Sequence, residues 1–125
     1  MTVRVRAPLS ADTDTIAQAA HGFSLGDVVR WDGGQWVLAQ ADSLEHAGDG
    51  VRAGVVDAPV DDDTFALRNR GRMSWQHGLA VNTEAYLSDE TPGALVTEAP
   101  AIMLPIGVTT SPGTFDVDIR TGAEV

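Results

Sequence analysis

The sequence predicts an all-β domain, a small barrel or sandwich of short strands. Short runs rich in β-branched and aromatic residues recur along the chain, and clusters of Gly, Pro and Asp separate them. Only one short stretch favours a helix. The chain of 125 residues has the size of one domain. We therefore predict a single β domain over residues 21–125, preceded by an extended N-terminal arm over residues 1–20.

The arm is predicted from the composition of "MTVRVRAPLSADTDTIAQAA", residues 1–20. Val3 and Val5 alternate with Arg4 and Arg6, and the remainder is polar or small, with no apolar face. Such a segment gains little from a core of its own. It is predicted to be disordered alone or to lie along a neighbouring chain.

A tight hairpin is predicted in "GDVVRWDGGQWVLAQ", where two β-rich runs flank Gly33-Gly34. A two-residue hairpin turn needs positive φ, which glycine adopts at little cost. The resulting register gives one apolar core face: Val29, Trp31, Trp36 and Leu38. The other face is only partly polar: Val28, Arg30, Val37 and Ala39. A half-apolar face predicts cover, either by another strand layer or by another subunit.

The remaining elements are short. In "ADSLEHAGDG", residues 41–50, Ser43 is a candidate cap and Gly48 a stop, which predicts one helical turn. Six further strands are predicted in the following segments: "VRAGVV", "TFALRN", "EAYLS", "ALVTE", "PIGVTT" and "TFDVDIR".

An internal duplication is predicted from two pairs of similar segments. "HGFSLGDVVRW" aligns without a gap on "HGLAVNTEAYL", and "GVVDAPVDDDTFAL" matches "GVTTSPGTFDV", which is three residues shorter. This predicts two related β-hairpin units, residues 21–68 and 77–119, that close on each other because neither can bury its own apolar face.

The charge of the chain excludes two classes of partner. Eighteen acidic residues against eight basic ones give a net charge of −10, and every basic residue is an arginine. A field of that sign repels phosphate backbones and anionic lipids, so we expect no nucleic acid and no membrane as partners. There is no cysteine, and no apolar run approaches the ~18 residues of a membrane span.

The one motif typical of a catalytic serine is "GFSLG", with Ser24 at its centre. A nucleophile elbow needs a strand before the serine and a helix after it, whereas Gly26 leads directly into a predicted strand. His21 and His77 each precede a glycine, which is typical of turn structure. We therefore expect no catalytic residue.

The best cation candidate is the acidic segment "DAPVDDDT", which contains Asp57, Asp61, Asp62 and Asp63. It lacks the spacing of a helix–loop–helix calcium site. A solvated hairpin tip is the favoured interpretation, so no metal site and no cofactor are predicted.

An arginine stripe followed by a tryptophan lies in "LRNRGRMSW". Arg68, Arg70 and Arg72 share one face if the segment is extended, and an arginine stripe beside an aromatic can stack nucleic-acid bases. In so acidic a chain, pairing with carboxylates of the same chain or of a neighbouring subunit is favoured. Trp75 could instead contribute to a sugar-binding platform.

Two long phrases occur in a recognisable order: "HGFSLGDVVRWDGGQWVLAQADS" followed by "AGVV", then "GLAVNTEAYLSDETPGALVTEAP" followed by "PIGV". From His21 to about Ile119 the chain resembles a β module of tailed-bacteriophage structural proteins. These include head-decoration proteins and short pieces of head fibres, tail fibres and spikes. Such proteins are non-enzymatic and commonly trimeric.

The resemblance implies a structural virion protein that decorates or stabilises a phage capsid through protein–protein contacts. It implies a homotrimer whose other partner is the major capsid protein or another virion protein. The implied location is the virion surface, after assembly in the bacterial host cytoplasm. The alternative is a carbohydrate- or receptor-binding adhesion module of a phage fibre or spike, which exposure of Trp75 would favour.

A candidate assembly interface combines the arm, the half-apolar hairpin face and the arginine stripe. Its residues are Val3, Val5, Val28, Arg30, Val37, Arg68, Arg70, Arg72 and Trp75.

Overall fold

The computed structural model describes residues 13–42, 53–98, 100, 102–119 and 123–124. Two five-stranded antiparallel sheets pack together, so the protein is an all-β sandwich of short strands, as predicted. The described residues contain no helix. The strands, in chain order, are β1 (Thr13–Ala17), β2 (Val28–Trp31), β3 (Trp36–Leu38), β4 (Ala53–Asp61), β5 (Thr64–Arg68), β6 (Arg70–Ser74), β7 (Glu84–Leu87), β8 (Leu95–Val96), β9 (Ile102–Met103), β10 (Pro105–Ser111), β11 (Thr114–Asp118) and β12 (Ala123–Glu124).

The two sheets have equivalent topologies. The first sheet has the order β1-β5-β4-β2-β3, and the second has the order β6-β11-β10-β7-β8, while β9 and β12 pair separately. The two orders coincide when β6 is matched with β1, β11 with β5, β10 with β4, β7 with β2 and β8 with β3. Asn69 alone joins β5 to β6, so each sheet is formed by one continuous part of the chain. This shared order supports the predicted duplication of residues 21–68 and 77–119, which stays a prediction.

The β2–β3 hairpin has the predicted register. Trp31 pairs with Trp36 and Val29 with Leu38, and Gly33 in the turn has φ of 103°. Val29 and Trp36 are buried, but Leu38 is 39% exposed, so the predicted core face is incomplete. Leu38 is the last residue of an edge strand, where fewer neighbours pack against a side chain.

Two apolar clusters stabilise the sandwich. The main cluster lies between the sheets and includes Val28 and Val55 from the first sheet with Phe115 from the second. The other cluster lies on the opposite face of the first sheet: Ile16, Val29, Trp36, Val56, Phe65 and Leu67. Fully burying one such side chain contributes about 1.5–3 kcal/mol. Both faces of the first sheet are therefore covered.

The half-apolar hairpin face is covered by the second sheet of the same chain. Val28 and Ala39 are fully buried in the main cluster. Of the two kinds of cover predicted, a strand layer is therefore the one observed. Val28 cannot meet a partner subunit, because its side chain is already part of the core.

Part of the segment predicted as an extended arm, residues 1–20, is a strand of the first sheet. Residues 13–17 form β1, which pairs along its whole length with β5, and Ile16 is fully buried opposite Phe65. A single apolar residue is enough to fix this edge strand, because its backbone completes the hydrogen bonds of β5. Residues 1–12, with Val3 and Val5, lie outside the described residues, as does most of the predicted helical turn, at residues 43–52.

Candidate functional site

The loop before β2 is fixed by the imidazole of His21. Its Nδ1 accepts a hydrogen bond from the Phe23 amide at 2.9 Å. Its Nε2 lies 2.6 Å from the carbonyl oxygen of Asp61. Because Nδ1 accepts, the ring proton lies on Nε2 and is donated to that carbonyl. Both ring nitrogens are thus occupied by backbone groups.

The loop before β7 repeats this arrangement in the second sheet. His77 Nδ1 accepts from the Leu79 amide at 3.0 Å, and Nε2 lies 2.7 Å from the carbonyl oxygen of Ser111. The glycines that follow the two histidines, Gly22 and Gly78, have φ of 69° and 72°. Each sheet therefore contains the same histidine turn, and neither imidazole has a nitrogen left for proton transfer.

Ser24 belongs to a reciprocal turn. Its amide donates to Asp27 Oδ2 at 2.8 Å, and the Asp27 amide donates to the Ser24 carbonyl oxygen at 3.0 Å. Burial raises the pKa of Asp27, and the hydrogen bond from Ser24 opposes that shift. Since both nitrogens of His21 are occupied, the neighbouring histidine cannot act as a base for Ser24.

The acidic hairpin tip uses its carboxylates as backbone acceptors. Asp63 Oδ1 accepts from the Ala20 amide at 3.0 Å, and Asp61 Oδ1 accepts from the Asp63 amide at 2.8 Å. No group of three or more histidine or acidic side chains in the described residues is arranged to hold a metal ion.

The three arginines of the stripe lie on two sheets. Arg68 ends β5 in the first sheet, whereas Arg70 and Arg72 lie on β6 in the second. Arg68 pairs with Asp57 at 3.3 Å, and Arg72 pairs with Asp116 at 3.4 Å. Pairing with carboxylates of the same chain is therefore observed for two arginines. The condition for one shared face, a continuous extended segment, is not met, because the chain crosses between the sheets at Asn69.

Arg30 and Val37 face each other across the β2–β3 hairpin. Both are half-buried. Arg30 Nε is buried and has no hydrogen-bond partner among the described residues. This part of the candidate interface is only partly accessible.

Trp75 contributes to packing between the loops of the two sheets. Its ring centroid lies 5.6 Å from that of Phe115 and 5.8 Å from that of His77, both edge to face. The indole also packs directly on the backbone of Gly26, which has no side chain to displace it. Half-burial of Trp75 weakens its interpretation as a sugar platform.

The face of the second sheet that points away from the first carries a row of side chains in register across four strands. We call this row the outer face; its residues are Arg72, Asp116, Val108 and Glu84. Val108 is 42% exposed, and the Arg72 and Asp116 side chains are 67% and 43% exposed. The outer face is therefore an exposed, largely polar surface with one apolar side chain among its charges.

A groove borders β8 at the edge of the second sheet. Its volume is about 530 Å³, and it is lined by Leu79, Ser88, Asp89, Glu90, Val96, Thr97, Glu98 and Pro100. We call it the edge groove. This groove was not predicted from the sequence, although the acidic residues that follow "EAYLS" and "ALVTE" could have indicated that two acidic loops meet at one edge.

Comparison with family models, curated proteins and solved structures found no match for this chain. Within the described residues, no helix has the length and apolar composition needed to cross a bilayer.

Proposed function

We propose that this chain is a non-enzymatic structural protein of a phage particle. It coats the capsid surface as a homotrimer and acts by protein–protein contact with itself and with the major capsid protein or another virion protein. The observation that carries the proposal is the open outer face, whose counterpart in the first sheet is buried in the sandwich.

The polar groups of the loops support a structural function. His21, before β2, and His77, before β7, each hold loop backbone in place through both ring nitrogens. The aspartates of the acidic tip accept backbone hydrogen bonds in the same way. These are the side chains that would otherwise supply a base or a metal ligand.

Contact over several neighbours explains how such a protein could stabilise a shell. Stable protein interfaces bury about 1,200–2,000 Å² in total. A few hundred Å² on each of several capsid subunits reaches that range, and trimer symmetry makes the contacts simultaneous. The resemblance to phage decoration and fibre-base proteins is the reason for proposing a phage capsid as the particle.

The first test is the mass of the purified protein by light scattering across micromolar concentrations, with calcium and with chelator. A trimer indifferent to chelator is expected. A monomer at all concentrations would contradict the homotrimer, and a calcium-dependent mass would contradict the interpretation of the acidic tip as purely structural.

The second test is sedimentation of the protein with phage capsids. Val108→Glu places a charge at the centre of the outer face and is expected to abolish co-sedimentation. Val60→Glu is the matched control, because Val60 is 60% exposed on the hairpin of the first sheet. Equal binding by the two variants would remove the outer face from the proposal.

A further inference from the structure

The edge groove lies where the second sheet can accept another strand. β8 is the last strand in the order of this sheet, and no described strand pairs with its outer edge. The unpaired N–H and C=O groups of such an edge can bind an extended segment by continuing the sheet. Val96 of β8 lines the groove, so a strand added there would lie along it.

The lining of the edge groove combines acidic and apolar side chains. Asp89, Glu90 and Glu98 are exposed, and no described arginine forms a salt bridge with any of them. Leu79 and Val96 line the groove as half-buried apolar residues. An extended segment that alternates apolar and cationic side chains offers a partner to each kind of lining residue.

Such a segment occurs at the start of this chain. In "MTVRVRAPLSA" the apolar Val3 and Val5 alternate with Arg4 and Arg6, and these eleven residues contain no acidic side chain. They form a cationic segment in a chain whose net charge is −10.

We propose that residues 1–10 of one copy bind as an added strand in the edge groove of the next copy. In this proposal Val3 and Val5 contact the apolar lining residues, and Arg4 and Arg6 pair with the acidic ones. The proposal rests on the proposed homotrimer and names the contact that closes it. A contact between an arm and a groove joins two different surfaces, so three such contacts close a ring.

The length of the segment fits a neighbouring copy. Twelve extended residues span up to about 40 Å, whereas a domain of this size has a radius of gyration of about 14 Å. Residues 1–12 precede β1 in the chain, and the groove lies at an edge of the second sheet. The extended length of these residues is therefore enough to reach a neighbouring copy.

Disulfide trapping tests the contact directly, since the chain has no cysteine of its own. Val5→Cys is introduced in an untagged full chain and Thr97→Cys in a tagged full chain, and the two are mixed and oxidised. A crosslinked pair with one tag is expected. A double variant that crosslinks only within single chains would show that the arm binds its own groove, and that result would overturn the proposal.

Charge exchange tests the chemistry of the contact. Arg4→Glu with Arg6→Glu should raise the trimer dissociation constant about tenfold, as expected for the loss of two ion pairs. Asp89→Arg with Glu98→Arg should do the same, and the four changes together should restore assembly. Asp62→Arg is the control for charge reversal at the groove, because Asp62 is an exposed carboxylate that does not line the groove.

The outcomes separate this inference from the proposed function. A trimer that neither pair of charge reversals weakens, and that gives no crosslink between chains, overturns the groove contact and leaves the homotrimer intact. A wild-type chain that is monomeric at every concentration overturns both.

Discussion

The same face of the two sheets is buried in one and open in the other. In the first sheet Val28 pairs with Val55, and both are fully buried. In the second sheet the corresponding pair is Glu84 and Val108, and Val108 is 42% exposed. The strand order is shared, so the backbone does not decide which face is covered. A change of side chain at these positions does.

The packing of the sandwich follows from this difference. The first sheet turns its Val28 face to the apolar face of the second sheet, which contributes Met73, Phe115 and Val117 to the main cluster. The outer face of the second sheet stays open. The two halves therefore pack with different faces, and the Val108 face of the second sheet is left exposed.

The largest effect is expected when the first sheet is given the polarity of the second. Val55→Glu would bury an unpaired carboxylate in the main cluster, which costs about 3–5 kcal/mol. That is a large part of the 5–15 kcal/mol typical of a domain. Val108→Glu at the equivalent position should change the free energy of unfolding by less than about 0.5 kcal/mol.

Urea unfolding followed by tryptophan fluorescence measures both variants. Similar losses of stability in the two would show that the faces are not packed differently. A Val55→Glu variant as stable as the wild type would overturn the assignment of that face to the core.

A second effect is expected at the turns before β2 and β7. Gly26 and Asn82 occupy equivalent positions, with φ of 88° and 57°. Asparagine tolerates positive φ, but a Cβ at Gly26 would overlap the indole of Trp75. Gly26→Asn should therefore cost about 1–3 kcal/mol through overpacking.

Gly22→Asn is its control, because Gly22 has φ of 69° and nothing lies within 4 Å of a Cβ built there. Thermal unfolding of the two variants separates steric overlap from backbone strain. Equal shifts in Tm would mean that Trp75 does not limit the site.

A third and smaller effect is expected from the histidine turns. His21→Ala removes three ring hydrogen bonds and His77→Ala removes two, and each variant should cost about 1–2 kcal/mol. The turns lie in different sheets and share no partner, so the double variant should lose the sum of the two. Guanidinium unfolding checks this, and a loss confined to one histidine would show that the turns are not equivalent in energy.

The smallest effect concerns pH and the two ends of β2. Hydrogen bonds from the Gly34 and Gln35 amides lower the pKa of Asp32 from 3.8, so its contribution is present above 3.8 and is lost as pH falls through the lowered value. Burial raises the pKa of Asp27 from 3.8, so the stability linked to its neutral form is present below 3.8 and is lost as pH rises through the raised value.

The wild-type protein should lose stability as pH falls below 3.8, because Asp32 becomes protonated, and Asp32→Asn should abolish that loss. It should also lose stability as pH rises above 3.8, because Asp27 ionises, and Asp27→Asn should abolish that loss. Asp32 is exposed and Asp27 is only half-buried, so each change should be about 0.5 kcal/mol or less. Urea unfolding between pH 3 and pH 6 measures the slopes. Slopes of the same sign would contradict the assignment.

Local signals explain what could be predicted from the sequence. The β2–β3 register follows from the Gly33-Gly34 turn, whose residues are adjacent in the chain. β1 and β6 were not predicted as strands, because each buries only one large apolar residue, Ile16 and Met73. Their pairing depends on β5 and β11, which are distant in sequence.

Contacts between distant segments explain what was missed at the candidate sites. Cover of Val28 by the second sheet depends on how two units pack, and no local pattern specifies that. The edge groove collects residues from Leu79 to Pro100 through the pairing of β7 and β8. From the sequence alone, acidic residues in two separate loops are interpreted as solvated surface. Only the pairing of β7 with β8 brings them together at one groove.

The single residue that joins the sheets, Asn69, has a consequence for synthesis. Translation proceeds at about 5–20 residues per second, so residue 68 is added about 3–10 s before residue 118. During that interval the first sheet can form, while the second sheet, which covers Val28 and Val55, is incomplete. Two nascent chains on one messenger would then expose the same apolar strands to each other. We expect this fold to be most prone to aggregation while it is being made, and least prone once the second sheet is in place.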